Sequence, residues 1–326
     1  MKLWIWLGLA ALTAPSVSVA PADVRMVEVT GEGAKYWSRW RGPSGQGQVP
    51  AGQYTDRWSP TAGVQWKVAI PGSGNSSPIV WGDRIFLTTA RDRGQRLSML
   101  AYSRKDGAKL WETDIPQNGV EYPHEKNGYA SATATTDGEL VYASFGRHGL
   151  VAFDFTGKIV WHRKFGIIDN YHGPAGSPVL CKDRVFIYQD ANPAPGQRAF
   201  VGAFDKKTGK TMWETPRRET VGWGTAVVFA SSGRAGPTMA IRPGGSGDVT
   251  ATHVAWNSPK GSPFVPSGIV VGDLLYLIND MQSILTVYEA ATGTLVYQNR
   301  LGVAQREGFS GRPSSLRRAA RSSCCT

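Results

Sequence analysis

The chain has 326 residues, rich in Gly (39), Pro (20) and Trp (12) and with only 19% charged residues, a mixture that suits short strands and tight turns and argues against long surface helices. Its formal charge of +11 does not mark a nucleic-acid interface, because Arg312, Arg317, Arg318 and Arg321 crowd an acid-free tail and no basic stripe interleaves with aromatics. The three cysteines, Cys181, Cys324 and Cys325, exclude the disulfide framework of small secreted folds, so stability must come from a core.

In chain order, Met1 and Lys2 precede an apolar run from Leu3 to Leu12 and small residues ending Ala20-Pro21-Ala22. This is the plan of a secretory signal peptide over residues 1–22, cleaved after Ala22. The run is shorter than the roughly 20 apolar residues a membrane anchor needs. The mature chain is therefore expected outside the cytoplasm, periplasmic or extracellular, with only indirect membrane association. An N-terminal extension spans 23–60.

From residue 61 the sequence repeats itself. Four stretches end alike: Asp106, Gly107 and Trp111; Asp154, Gly157 and Trp161; Asp205, Gly209 and Trp213; and Glu289, Gly293 and Tyr297. The shared form is A-x-D-x-x-T-G-x-x-x-W. The acid and Thr side chains bond nearby backbone amides, Gly supplies the positive φ that reverses the chain, and a second strand carries the aromatic. Upstream of each lies another hairpin, with turns at Gly82-Asp83, Asp137-Gly138, Lys182-Asp183 and Gly272-Asp273. Two hairpins make a four-stranded sheet. The strand-ending aromatics Trp66, Trp111, Trp161, Trp213, Trp256 and Tyr297 are spaced by 45, 50, 52, 43 and 41 residues, the period of a propeller blade. A β-sandwich predicts no such period. The fold class is all-β: a β-propeller over 61–310 with roughly five recognisable blades.

The A-x-D-x-x-T-G-x-x-x-W ending resembles the pyrroloquinoline quinone (PQQ)-like, quinoprotein-type repeat of exported bacterial propellers, over about residues 64 to 300. The opening Trp40-Arg41-Gly42-Pro43, with Gly45 and Gly47, is similar to the start of such proteins. The resemblance implies either a scaffold of the kind that assists outer-membrane β-barrel assembly or a PQQ-dependent alcohol dehydrogenase. Seven or eight blades are usual in the family. After Trp213 a blade opens at Gly222–Phe229, yet its Thr-Gly turn and aromatic do not follow. The expectation there is two half-blades joined, with about one repeat lost. Residues 311–326 lack strand alternation, which predicts out-of-frame translation or a truncated gene, or else a basic disordered tail.

A dehydrogenase of this family requires PQQ clamped in the channel, Ca²⁺ held by oxygen ligands, a carboxylate base and a vicinal disulfide. The adjacent Cys324 and Cys325 stand in the tail instead of an early blade. No cofactor and no metal site are therefore expected, and no catalytic residue is assigned. The candidate ligand face is formed by inter-blade loops: Tyr122, His124, Glu125 and Asn127 in one, Tyr171 and His172 in the next. His124-Glu125 lacks the second His of an H-E-x-x-H helix. Thr208-Gly209-Lys210-Thr211 is not a phosphate loop, since Phe204 stands where Gly is needed, and the stretch Gly244–Thr250 reads as a long turn and not a Ca²⁺ site. The expected function is a non-catalytic scaffold for a protein or polymeric ligand. The alternatives are a PQQ-dependent oxidoreductase and a carbohydrate-binding propeller presenting Trp81 and Tyr129.

Overall fold

The computed structural model describes residues 29–301, apart from 50, 51, 53, 56, 118, 120–126, 167, 171, 174, 193, 218–228, 232–235, 243–249, 264 and 265. Five antiparallel meander sheets follow one another along the chain. Blade 1 is β1 (Ile79–Trp81), β2 (Arg84–Arg91), β3 (Arg96–Ser103) and β4 (Lys109–Asp114), and blade 2 is β5 (Thr135–Thr136), β6 (Leu140–Ser144), β7 (Leu150–Asp154) and β8 (Ile159–Arg163). Blade 3 is β9 (Val179–Cys181), β10 (Arg184–Gln189), β11 (Ala199–Asp205) and β12 (Thr211–Arg217). Blade 4 has three described strands, β13 (Phe229–Ser231), β14 (Thr238–Ile241) and β15 (Val254–Ser258). Blade 5 is β16 (Ile269–Val271), β17 (Leu274–Asn279), β18 (Ile284–Glu289) and β19 (Leu295–Arg300). The first strands β1, β5 and β9 lie side by side.

The core lies between blades, because a lone sheet leaves one apolar face uncovered. Phe86 and Met99 of blade 1 meet Val141, Val151 and Phe153 of blade 2. Tyr142 and Trp161 meet Val185, Phe200 and Phe204 at the next seam, and Trp256 meets Leu275 and Tyr288 at the last.

Three of the seams are fastened by the repeat's Trp. Trp111 Nε1 donates to Phe155 O, Trp161 Nε1 to Lys206 O and Trp256 Nε1 to Ala290 O, each at 2.9 Å and each in the Thr-Gly turn of the following blade. The indole lies against that turn's glycine. A Cβ on Gly157, whose φ is +92°, would stand 2.7 Å from Trp111 Cδ2, and Gly209 and Gly293 show the same approach to Trp161 and Trp256. The turn itself is built as the sequence predicts: Asp154 Oδ1 accepts from the amides of Thr156 (2.8 Å) and Lys158 (3.0 Å), and Asp205 Oδ1 from those of Lys207 (3.1 Å) and Thr208 (2.8 Å). The repeating acids are turn-formers.

Blade 4 corrects the expectation of two joined half-blades. β14 and β15 form the second hairpin in the usual register, with Ala240 opposite Trp256 as Ala101 is opposite Trp111, and with the same bulge one residue later. Backbone pairing holds the hairpin whatever its connection. The Thr-Gly turn is replaced by the stretch from Arg242 to His253, closed by Arg242 N to His253 O at 2.8 Å, and the aromatic is Trp256. The predicted opening at Gly222–Phe229 lies outside the described residues except for Phe229.

The missing turn leaves a mark on blade 3. Trp213 is 1% exposed, and its Nε1 has no acceptor among the described residues. Thr215 Oγ1 has none either, whereas its counterpart Thr113 donates to Gly157 O at 2.7 Å. Trp161→Phe is therefore expected to cost about 1–2 kcal/mol more than Trp213→Phe in urea unfolding, since among the described residues only the former breaks a bond and leaves a carbonyl bare. Equal losses at the two positions would contradict the assignment.

Candidate functional site

Meander topology sorts the connections into two ends. One end carries the two kinds of short turn, tied together by Arg104 N to Asp83 O (2.7 Å), Lys206 N to Asp183 O (2.9 Å) and Ala290 N to Asp273 O (2.8 Å). Lys206 also pairs with Asp137 at 2.7 Å. The other end carries the longer connections, residues 115–134 and 164–178 between blades and 190–198 within blade 3. That end holds the candidate face.

Of the predicted face residues, Tyr122, His124, Glu125 and Tyr171 lie outside the described residues. Asn127 and His172 are brought together: Asn127 Nδ2 donates to His172 O at 2.7 Å. Asn127 Oδ1 accepts from Gly128 N (2.9 Å) and Ser131 Oγ (2.5 Å), which fixes the amide that reaches across the seam. His172 N donates to Asn170 Oδ1 at 3.1 Å, and Asn170 Nδ2 donates to Asp190 O at 3.3 Å. Asp190 Oδ1 in turn holds Arg217 Nε at 2.9 Å, with the two side chains 0% and 2% exposed. A continuous polar line thus runs from the blade 1–2 loop to the outer strand of blade 3.

Sequence reasoning missed Asn170, Asp190 and Arg217. Asp190 and Arg217 sit just beyond and at the ends of β10 and β12, 27 residues apart, and only the antiparallel register places them together. Two more ion pairs use up acids of this end: Asp169 lies 3.5 Å from Arg147, and Glu112 pairs with Arg91. Gln197 bonds Asp169 through both its amide groups, at 2.6 and 2.9 Å.

Next to Arg147 in the chain stands His148, 1% exposed. Burial, with Arg147 adding repulsion, lowers its pKa to about 4. His162, whose Nε2 lies 2.5 Å from His148 O, is lowered by burial as well. The folded state holds His148 neutral while the unfolded ring protonates near 6.5, so this stability is whole above pH 6.5 and is lost as the pH falls toward 4. The expected loss is on the order of 3 kcal/mol. Urea midpoints at pH 7 and pH 4.5 read it, and His148→Gln should flatten the slope; an unchanged slope would refute the assignment.

Neither aromatic proposed as a sugar platform is laid open. Trp81 packs against Tyr36 at 5.3 Å and crowds Gly138, at the short-turn end, while Tyr129 covers Gly94 and joins the first core cluster at the other end. Both are used for packing, and they stand at opposite ends of the blades.

Among the described residues no three of His, Cys, Asp and Glu gather where a metal ion could sit. Cys324 and Cys325 lie outside the described residues. Also among the described residues, no helix is long and apolar enough to cross a membrane.

A family model described as outer membrane protein assembly factor BamB matches residues 57–192, which takes in blades 1 and 2 and runs into blade 3. These blades are PQQ-like repeats. Among solved structures, BamB from Moraxella catarrhalis is similar with 15% identity and a TM-score of 0.54, over 74% of this chain and 68% of that one. A europium-containing methanol dehydrogenase has 16% identity and a TM-score of 0.54, over 71% of this chain and 51% of that one. Quinohemoprotein alcohol dehydrogenase ADHIIG from Pseudomonas putida HK5 has 16% identity and a TM-score of 0.56, over 86% and 51%. The chain spans about half the length of the two dehydrogenases. No curated protein matches it by sequence. At such identities the structural likeness establishes the fold, a β-propeller of PQQ-like blades, and leaves activity to the site itself.

Proposed function

We propose that this chain is a non-catalytic, extracytoplasmic propeller that holds a protein or polymeric ligand on its long-loop end. The observation that carries the reading is the match of residues 57–192 to the model of an outer-membrane assembly factor. The polar line through Asn127, His172, Asn170, Asp190 and Arg217 supports it, because it makes adjacent inter-blade loops one pre-ordered surface, and a rigid surface binds at lower entropic cost. Three described acids of this end, Glu112, Asp169 and Asp190, are engaged by Arg91, Arg147 and Arg217, which suits a platform better than a proton-abstracting site. The signal peptide expected over residues 1–22 supports a periplasmic location, with the membrane reached only through the partner.

Two measurements test this. A photoreactive phenylalanine analogue at exposed Arg93, on the long-loop end, is expected to crosslink a partner in cells, and the same group at exposed Lys105, on the opposite end, is expected not to. Titration of the folded chain with PQQ and Ca²⁺, followed by absorbance, is expected to show no saturation in the micromolar range. Saturable binding would overturn the scaffold reading in favour of the oxidoreductase, and equal crosslinking from both positions would overturn the assignment of the face.

A further inference from the structure

The Asn127 side chain ties the blade 1–2 loop to His172 O, yet its own carbonyl is turned onto the next peptide nitrogen, with Gly128 N 2.9 Å from Asn127 Oδ1. Asn127 Cγ is one C=O bond of about 1.2 Å from Oδ1 and so stands no more than about 4.1 Å from that nitrogen. This is already close to the roughly 3–3.5 Å of a near-attack conformer. Ser131 completes the group. Its Oγ lies 2.5 Å from Asn127 Oδ1 and 3.1 Å from Gly128 N, and its other partner, Gly128 O, is farther than Oδ1, at 3.1 Å. One hydroxyl thus accepts from the amide that would lose a proton and donates to the oxygen that would gain negative charge.

Glycine at 128 is required neither by the backbone nor by space. Its φ is not positive, and a Cβ there would meet only Asn75 Nδ2 and Ser131 Oγ at 3.5 Å and Asn75 Cγ at 3.8 Å, all ordinary contacts. What glycine leaves is a peptide nitrogen that no side chain shields. Asn299 gives the contrast. Arg300 N lies 2.8 Å from its Oδ1, but the next side chain is large, and among the described residues no hydroxyl joins the pair.

We propose that Asn127-Gly128 is a self-modifying site at which Asn127 becomes aspartate or isoaspartate, with Ser131 as proton relay. The Gly128 amide proton passes to Ser131 Oγ while the nitrogen's electron pair forms a bond to Asn127 Cγ, and the Ser131 proton passes to Oδ1. The Oδ1 proton then moves to Nδ2, the Cγ–Nδ2 bond breaks, and ammonia leaves behind a succinimide. Water opens that ring at either carbonyl, and nothing is oxidised or reduced. The product cannot hold the seam. A carboxylate at 127 has no hydrogen for His172 O, which takes one from Nδ2 at 2.7 Å, so two oxygens would face each other there. The reaction is a one-way release of the blade 1–2 loop from the blade 2–3 loop, whatever the loop end binds.

The test ages the full chain in mildly alkaline buffer, with and without concentrated urea. Peptide mass spectrometry reads the gain from exchanging ammonia for water at residue 127, and an isoaspartyl methyltransferase labels the isoaspartate. Asn127 is expected to convert at least about tenfold faster in the folded chain than in urea. Ser131→Ala should slow the folded chain about tenfold and leave the rate in urea unchanged, and Ser131→Thr, which keeps the hydroxyl, should restore it. Gly128→Ala, whose Cβ fits, should slow both states, and Asn299 should stay intact over the same time in the folded chain. Circular dichroism establishes that the variants keep the fold. Asn127→Asp should accelerate amide hydrogen exchange in residues 168–178. A folded-state rate no higher than the rate in urea, or one indifferent to Ser131→Ala, overturns the proposal, and unchanged exchange in Asn127→Asp overturns the release.

Discussion

Gly157→Ala is expected to lower the unfolding free energy by about 3 kcal/mol, against about 1 kcal/mol for Gly82→Ala, although both glycines have positive φ. The difference lies in what each faces. A methyl on Gly82 meets nothing within 4 Å, so the variant carries backbone strain alone. A methyl on Gly157 meets Trp111 Cδ2 at 2.7 Å, Cε3 at 2.9 Å and Cγ at 3.0 Å, so the indole must move. Moving it stretches the 2.9 Å bond to Phe155 O and the neighbouring 2.7 Å bond from Thr113 to Gly157 O. It also disturbs the packing of Trp111 on Phe86 and Phe153. Urea unfolding followed by Trp fluorescence reads the two losses, and equal losses would mean that the glycine serves the turn and not the seam.

The same residues explain why so much of the fold was legible. Asp154, Gly157 and Trp161 act within a few residues of one another, so their spacing states both the turn and the strand that follows it. Blade 4 was harder to read because its hairpin is made by backbone pairing between β14 and β15, with a connection that carries no Thr-Gly signal. The site was less legible still. Asn127 and His172 were singled out as loop residues and do meet, but through a backbone carbonyl that no side-chain pattern advertises. Asp190 and Arg217 belong to no repeat position. Trp81 and Tyr129 look in the sequence like surface aromatics, and only the positions of Gly138 and Gly94 reveal that they are packed.

Arg217→Ala and Asp190→Ala are each expected to cost about 3–5 kcal/mol, because each leaves an ion without its partner in a site exposed by 2% or less. The paired replacement Arg217→Met with Asp190→Leu should recover most of that loss. Both terminal nitrogens of Arg217 are buried with no acceptor among the described residues, and the guanidinium rests over the Tyr188 ring at 5.2 Å. An ion so incompletely bonded has a desolvation cost that the carboxylate only partly offsets, so an apolar pair of similar volume stands nearly level with it. The pair is then better understood as positioning than as stability. Asp190 O receives Asn170, and Asn170 holds the amide of His172, which meets Asn127 across the seam. In the apolar double variant, amide hydrogen exchange in residues 168–178 should accelerate while the urea midpoint stays near that of the parent chain. Unchanged exchange would mean that the loop end is ordered without the ion pair, and a double variant as unstable as the single ones would mean that the charges stabilise the blade outright.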